Sequence, residues 1–148
     1  MMVQPDLSVV IVSYNTVDLL PACVESVLAQ EAASRQIIVI DNASADETVD
    51  ILRHRCYRDL ELIANRENVG FARACNQGLR RCRSDLVLFL NPDTVVQPGC
   101  FAAILDYMAA HPETGLAGTA ILEPDMRPHP SVEYDYPGHH YVRDELDG

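Results

Sequence analysis

At 148 residues, 48% of them hydrophobic and 22% charged, the chain has the makeup of one folded domain, long enough to bury roughly 68–70% of its unfolded surface. A formal charge of −11 argues against nucleic acid as a partner, which would need a basic face. The eleven basic residues are all arginine, which excludes a Walker-type phosphate loop, a Schiff-base lysine and a lysine-dependent phospho-receiver. No apolar stretch approaches the length of a membrane span, and the first six residues lack the charged flank and apolar core of a signal peptide. That assigns the chain to the cytoplasm, the inner face of the membrane included.

Leu7 to Val12 reads as a first buried strand, ending at Ser13, Tyr14 and Asn15. The helix after it carries Leu20, Cys23, Val24, Val27 and Leu28 on one stripe. With Asp18 as its cap, Pro21 falls in the first turn, where its missing N–H costs nothing. Ile37 to Ile40 is a second buried run ending at Asp41 and Asn42, and Ser44 with Glu47 makes a capping-box pattern for a helix reaching about Cys56. Leu60 to Ala64 alternates and gives a third, less buried strand. Asn68 is the expected cap of the next helix, on which Phe71, Cys75, Leu79 and Cys82 share a face.

Leu86 to Leu90 follows as five apolar residues without alternation, the pattern of a strand buried on both faces of a parallel sheet. It runs straight into Asn91, Pro92 and Asp93. Pro98 marks another helix start, with Phe101, Ile104, Leu105 and Met108 packing inward, and Leu116 to Leu122 reads as a last strand. Strands and helices thus alternate throughout, which implies an α/β fold with helices on both faces of a parallel sheet.

From Glu123 the character changes: four of nine prolines, three of five histidines and seven acids against two arginines fall in residues 123–148. The expected organisation is therefore a domain over 1–122 and a proline-rich acidic tail over 123–148. The five cysteines show no metal-ligand spacing and read as small hydrophobes, Cys23, Cys56, Cys75 and Cys82 on apolar helix faces and Cys100 opening another helix. His129, His139 and His140, with Asp125 and Asp135 nearby, match no standard metal spacing and read as exposed histidines.

Three strands end in residues suited to a ligand: Ser13–Tyr14–Asn15, Asp41–Asn42 and Asn91–Pro92–Asp93. In a parallel sheet those ends share one edge, where open α/β sheets bind ligands. No G-x-G-x-x-G follows the first strand, so a glycine loop does not hold a dinucleotide here. Two carboxylates at the edge would repel a diphosphate unless a divalent cation stood between them, and magnesium or manganese suits one carboxylate, phosphate oxygens and water. Asn68 to Gly78 opens a helix beside that edge. Gly70 would let a ligand approach its free amides, Arg73 is the nearest cation, and Asn76 with Gly78 points to close packing or a polar contact, since both disfavour a helix interior.

The segments Val9–Asn15 (VVIVSYN), Val39–Thr48 (VIDNASADET), Asn68–Leu79 (NVGFARACNQGL) and Leu88–Thr94 (LFLNPDT), in this order and spacing, resemble the family 2 glycosyltransferases over about Leu7 to Leu122. Those are inverting enzymes of the GT-A fold, a Rossmann-like three-layer α/β/α arrangement with a mostly parallel central sheet, and the likeness is greatest to the rhamnosyltransferase-like branch. The resemblance implies that Tyr14 and Asp41 lie against a nucleoside, Arg73 near the nucleotide and its diphosphate, and Asp93 at the metal. With the strand ends this gives a donor-binding set of Ser13, Tyr14, Asn15, Asp41, Asn42, Asn68, Gly70, Arg73 and Asn91.

The same resemblance implies a nucleoside-diphosphate sugar as donor, a glycan or lipid-linked acceptor, magnesium or manganese as cofactor, and a place in cell-surface polysaccharide biosynthesis. Two departures stand out. The usual acid-x-acid motif reads Asn91–Pro92–Asp93, with one carboxylate replaced by an amide. The segment that carries the family's catalytic aspartate is not matched, and Asp135, Asp144 and Glu145 lie in no corresponding motif. The expectation is the amino-terminal, donor-binding part of a longer enzyme or a truncated reading frame. A catalytically incomplete nucleotide-sugar-binding module is the alternative, and a nucleotidyltransferase stands behind it, disfavoured by Ser13–Thr16 where those enzymes carry a glycine- and lysine- or arginine-rich loop.

Overall fold

The computed structural model describes residues 4–31, 33–57, 59–123, 125–127 and 129. Four strands, β1 (Leu7–Ser13), β2 (Arg35–Asp41), β3 (Leu60–Ala64) and β4 (Val87–Leu90), alternate with α1 (Leu20–Leu28), α2 (Thr48–Arg55), α3 (Phe71–Leu79) and α4 (Cys100–Ala110). The strands form one sheet in the order β3-β2-β1-β4, every pair parallel. β1 and β2 are runs of valine and isoleucine because both their faces are covered.

Alternation along the strands divides the core in two. Leu7, Val9 and Ile11 of β1 with Ile37 and Val39 of β2 meet Cys23, Val24 and Val27 of α1, Leu52 of α2 and Phe101 of α4. Val10, Val12, Ile38 and Ile40 meet Ala74 of α3 on the other face. The result is the expected three-layer α/β/α arrangement. Arg35 closes the end of α1, its guanidinium donating to the carbonyls of Leu28, Gln30 and Ala33.

Several local expectations are corrected. α1 is not capped by Asp18: the Thr16 carbonyl accepts from the Leu19 and Leu20 amides at 3.0 and 2.9 Å, and the cap position is Leu19. Ser44 does not cap α2, because it is bonded to Asp41; α2 begins at Thr48, behind a turn in which Asp46 accepts from Thr48. Its end at Cys56 takes the left-handed conformation (φ 46°), which leaves that thiol exposed rather than on an apolar face. Cys23 is fully buried, while Cys75, Cys82 and Cys100 are half-buried.

The buried stripe of α3 is Ala74 and Gly78; Phe71 and Leu79 are exposed and Cys75 and Cys82 only half-buried. Small residues win that face because the helix lies close on the sheet. Among the described residues β4 is an edge strand paired with β1 alone, and Phe89 is 48% exposed where burial on both faces was expected. Pro98 precedes α4 by two residues, the cap being Gly99 (φ 81°). Phe101, Ile104 and Leu105 pack inward as expected.

The chain divides between Pro112 and Glu113 into two compact units. In the second unit the expected strand over Leu116 to Leu122 is absent: only Leu122 forms a bridge, and Leu116 is 93% exposed. Ala117, Gly118, Thr119 and Ala120 between them have little to bury. A short turn instead joins the Glu123 amide to the Arg127 carbonyl at 2.8 Å.

Candidate functional site

Because all four strands run parallel, their carboxyl ends meet on one edge. Ser13 is the registered neighbour of Asp41, and Ile11 that of Leu90. The chain moves from β1 outward through β2 to β3 and then returns to the far side of β1 for β4, so strand order reverses between β1 and β4. Ligands of open α/β sheets bind at such a reversal.

The loop after β1 is bonded to the loop after β2 at four points. The Asn15 amide donates to Ser44 Oγ (2.8 Å), the Ala45 amide to Asn15 Oδ1 (2.8 Å), the Thr16 amide to Thr48 Oγ1 (3.1 Å) and the Val17 amide to Asp46 Oδ2 (3.2 Å). Asn15 takes a positive φ of 53°, a conformation asparagine tolerates better than most residues. Ser13 is buried and its hydroxyl is bonded to that of Thr16 at 2.7 Å. Tyr14 is held between these anchored residues with its ring half exposed. Desolvation pushes the Asp46 carboxyl up, but the Thr48 hydroxyl and the Thr48 and Val17 amides outweigh it and hold the group below its ordinary 3.8.

Asp41 is only 1% exposed, and its carboxylate accepts from both the Ser44 hydroxyl and the Ser44 amide (2.9 Å). Next to it, Asn42 is the hub of an amide network. Its Nδ2 donates to Asn68 Oδ1 (2.7 Å), and its Oδ1 accepts from Asn65 Nδ2 (3.2 Å) and the Val69 amide (3.0 Å). Asn65 and Gln77 exchange two further bonds at 2.9 and 3.0 Å. The network joins β2, β3 and α3 at the edge. Asn68 does not cap α3 directly: its Oδ1 accepts from Gly70 (3.0 Å), and Gly70, at φ 83°, is the cap. The first turn of α3 has no side-chain cap, so its amides point outward beside exposed Arg73. Asn76 is exposed, while Gly78 is the close contact foreseen for it.

Beyond β4, residues 91–94 form a turn in which the Asn91 carbonyl accepts from the Thr94 amide (3.3 Å) and hydroxyl (2.6 Å). Pro92 sits at its second position, where a fixed φ favours the turn. Asp93 projects at its tip. It is exposed, and among the described residues its carboxylate has no hydrogen-bond or ion-pair partner. Beneath the turn lies Cys23, its thiol donating to the Asn91 carbonyl at 3.5 Å. Burial pushes that thiol up to about 11, Thr94 opposing the shift and the Asp93 charge adding to it, so Cys23 stays protonated at neutral pH.

Among the described residues no group of three metal-binding side chains occurs. A single free carboxylate at a turn tip nonetheless fits magnesium or manganese whose remaining positions are filled by diphosphate oxygens and water. Reasoning from sequence did not single out Asp46, Thr48, Asn65 or Gln77. Asn65 was legible as the residue just past the third strand, and Gln77 lies inside the Asn68–Leu79 segment. Asp135, Asp144, Glu145, His139 and His140 lie outside the described residues. His129 is exposed, 3.6 Å from Glu123, and Asp125 is paired with Arg127.

The model of the family described as glycosyl transferase family 2 matches residues 8–144. The amylovoran biosynthesis glycosyltransferase AmsE of Erwinia amylovora is 30% identical over 108 residues, covering 72% of this chain and 41% of that protein. The succinoglycan biosynthesis protein ExoO of Rhizobium meliloti is 33% identical over 94 residues, covering 64% and 27%. The chain therefore spans less than half the length of either relative. Among solved structures, the mannosyltransferase PcManGT of Pyrobaculum calidifontis, in complex with GDP-Man and Mn2+, superposes with a TM-score of 0.70 at 22% identity, covering 83% of this chain and 37% of that one. TarS 1-349 of S. aureus in complex with UDP-GlcNAc gives 0.65 at 21%, covering 71% and 31%. The fold is GT-A.

Proposed function

The chain belongs to glycosyl transferase family 2, and from that membership we propose that its sheet edge binds a nucleoside-diphosphate sugar, with magnesium or manganese, for inverting transfer to an acceptor hydroxyl. The observation that carries the reading is Asp93. It is an exposed carboxylate without a partner among the described residues, on the edge shared with the Tyr14 loop, where the strand order reverses.

Each residue then has a task. The half-exposed Tyr14 ring offers a stacking face for the base. Asp41 keeps acceptor capacity beyond the two bonds from Ser44, enough for a nucleoside N–H. Ser13, Asn15 and Asn42 hold the two loops and β2 in place around it. The outward amides of α3 after Asn68 and Gly70, with Arg73, suit the diphosphate. Asn91 supplies the carbonyl that closes the turn under Asp93. A bound divalent cation would neutralise charge developing on the departing diphosphate. Asp41 and Asp46 are tied into the loops and Asp93 is given to the metal, so none of the three is assigned as the general base.

Relatives named for amylovoran and succinoglycan biosynthesis support a growing surface polysaccharide, or its lipid-linked precursor, as acceptor at the cytoplasmic face of the membrane. The rhamnosyltransferase-like motifs support a hexose or deoxyhexose as the sugar. A module that binds the donor without catalysing transfer is the second reading, favoured by the commitment of all three edge carboxylates.

Calorimetry of the chain with a panel of nucleoside diphosphates and their sugars, with manganese and with chelator, tests the proposal. Selective binding that tightens with metal is expected. Equal affinity for every nucleotide, or none for any, would sink it.

A further inference from the structure

We propose that α1 and the turn that ends it position the metal site, acting through Ser26 and Gln30, and this rests on the reading of Asp93 as the metal ligand. Cys23 and Ser26 lie three residues apart on α1, and Gln30 follows just past the Ala29 that ends it. All three bond to main chain in the segment that carries Asp93. Cys23 donates to the Asn91 carbonyl (3.5 Å), Ser26 Oγ accepts from the Val96 amide (2.9 Å), and Gln30 Nε2 donates to the Gln97 carbonyl (3.1 Å) while its Oε1 accepts from the Phe101 amide (3.4 Å). Ser26 is itself oriented by donating to the Cys23 carbonyl at 2.7 Å, and Gln30 is buried.

The need for such a ladder follows from the sheet. β4 is four residues long and, among the described residues, pairs with β1 alone, so the chain leaves it with little support from strand pairing. The helix and the turn after it supply what the sheet does not, gripping the segment on both sides of Asp93 and leaving that carboxylate untouched. The grip is on backbone atoms, so it sets where the turn sits whatever side chains the turn carries.

A site with Asn91 in place of a second acid depends on this more than a two-carboxylate site would. One protein ligand leaves the metal's position to one carboxylate direction, and a tilt of the turn is not absorbed by a second. Groups that orient a metal ligand typically change metal affinity by about 10–100-fold when removed.

The experiment measures binding of UDP and GDP to the 148-residue chain across a manganese titration and, separately, in chelator. It uses wild type, Ser26→Ala, Gln30→Ala and, as control, Asp93→Ala. Ser26→Ala and Gln30→Ala are expected to raise the manganese concentration for half-maximal enhancement about tenfold, with nucleotide affinity in chelator held within about twofold. Faster hydrogen exchange at the Val96 amide in Ser26→Ala is the accompanying structural sign. Ser26 is half-buried and its loss removes one acceptor, so this variant decides the matter if Gln30→Ala does not fold.

Wild-type manganese dependence in Ser26→Ala, with Asp93→Ala insensitive to metal, overturns the positioning role and leaves the functional proposal standing. A parallel fall of both affinities overturns it too, because that is the signature of general destabilisation. No manganese enhancement in wild type removes the metal reading, and this inference with it.

Discussion

Gly78 on α3 lies against Val10 on β1 so closely that a Cβ at Gly78 would stand 2.5 Å from Val10 Cγ1, with Ile40 Cδ1 at 2.7 Å. Both neighbours are fully buried in central strands and have no room to withdraw. The contact sets the height of α3 above the sheet. It thereby helps to place the amide network and the open first turn of that helix at the sheet edge.

Gly78→Ala is accordingly expected to destabilise the chain, although alanine favours a helix over glycine by about 1 kcal/mol. Overpacking of a dense core typically costs about 1–3 kcal/mol, and contacts below 3 Å belong at the upper end, leaving a net loss of about 1–2 kcal/mol. Urea denaturation followed by circular dichroism measures it. A variant as stable as wild type would mean that α3 can rise off the sheet without cost.

Much of this was legible beforehand. The runs Leu7–Val12 and Ile37–Ile40 announced central strands because burial on both faces leaves no alternation to misread. Polar residues after three such runs located the edge, since a parallel sheet has one carboxyl edge. Tertiary context decided the rest. Leu86–Leu90 reads as apolar wherever the strand sits, so sequence could not tell an edge strand from a central one. Phe71 and Leu79 looked like a core face because size was taken for burial, whereas close approach selected Ala74 and Gly78. Ser44 matched a capping pattern yet donates to Asp41 three residues back, while its Oγ accepts from the distant Asn15 amide, a tie that the local pattern does not show. Ser26 and Gln30 gave no signal, because their partners are backbone atoms some 70 positions on.

Asp46 should make part of the stability pH-dependent. Its carboxyl is held below 3.8 in the folded chain, so ionisation favours folding. That contribution is present above the unfolded value of 3.8 and is lost as pH falls through the lower folded value. Asp46→Asn is expected to be less stable than wild type at neutral pH, with the gap narrowing as pH drops below 3.8. Denaturant midpoints of both proteins across that range check it; a gap independent of pH would assign the difference to shape rather than charge.

Asn42→Ala tests the amide hub. Truncation removes the acceptor of the Val69 amide and of Asn65, and the donor to Asn68. Leaving such partly buried groups unpaired costs about 1–3 kcal/mol. Because the start of α3 loses its tie to β2, nucleoside diphosphate affinity should fall together with stability, while the manganese concentration giving half-maximal enhancement stays as in wild type. A change in the manganese response would show that the hub also acts on the β4 side of the edge.

Asp93 and Asp41 are expected to fail in different ways. Asp93 is exposed and has no partner among the described residues, so Asp93→Ala should leave the denaturation midpoint close to that of wild type. It should abolish the manganese enhancement of nucleotide binding, since Asn91 cannot replace the missing charge. Asp41 is buried and holds the Ser44 amide and hydroxyl. Asp41→Ala orphans both, so a stability loss of about 1–3 kcal/mol is expected, with weaker discrimination among bases and the manganese enhancement retained. Metal titrations and base selectivity measured side by side on the two variants separate the roles. Equal loss of the metal response in both would place Asp41 at the cation, and loss of stability in Asp93→Ala would make its turn a structural element rather than a ligand platform.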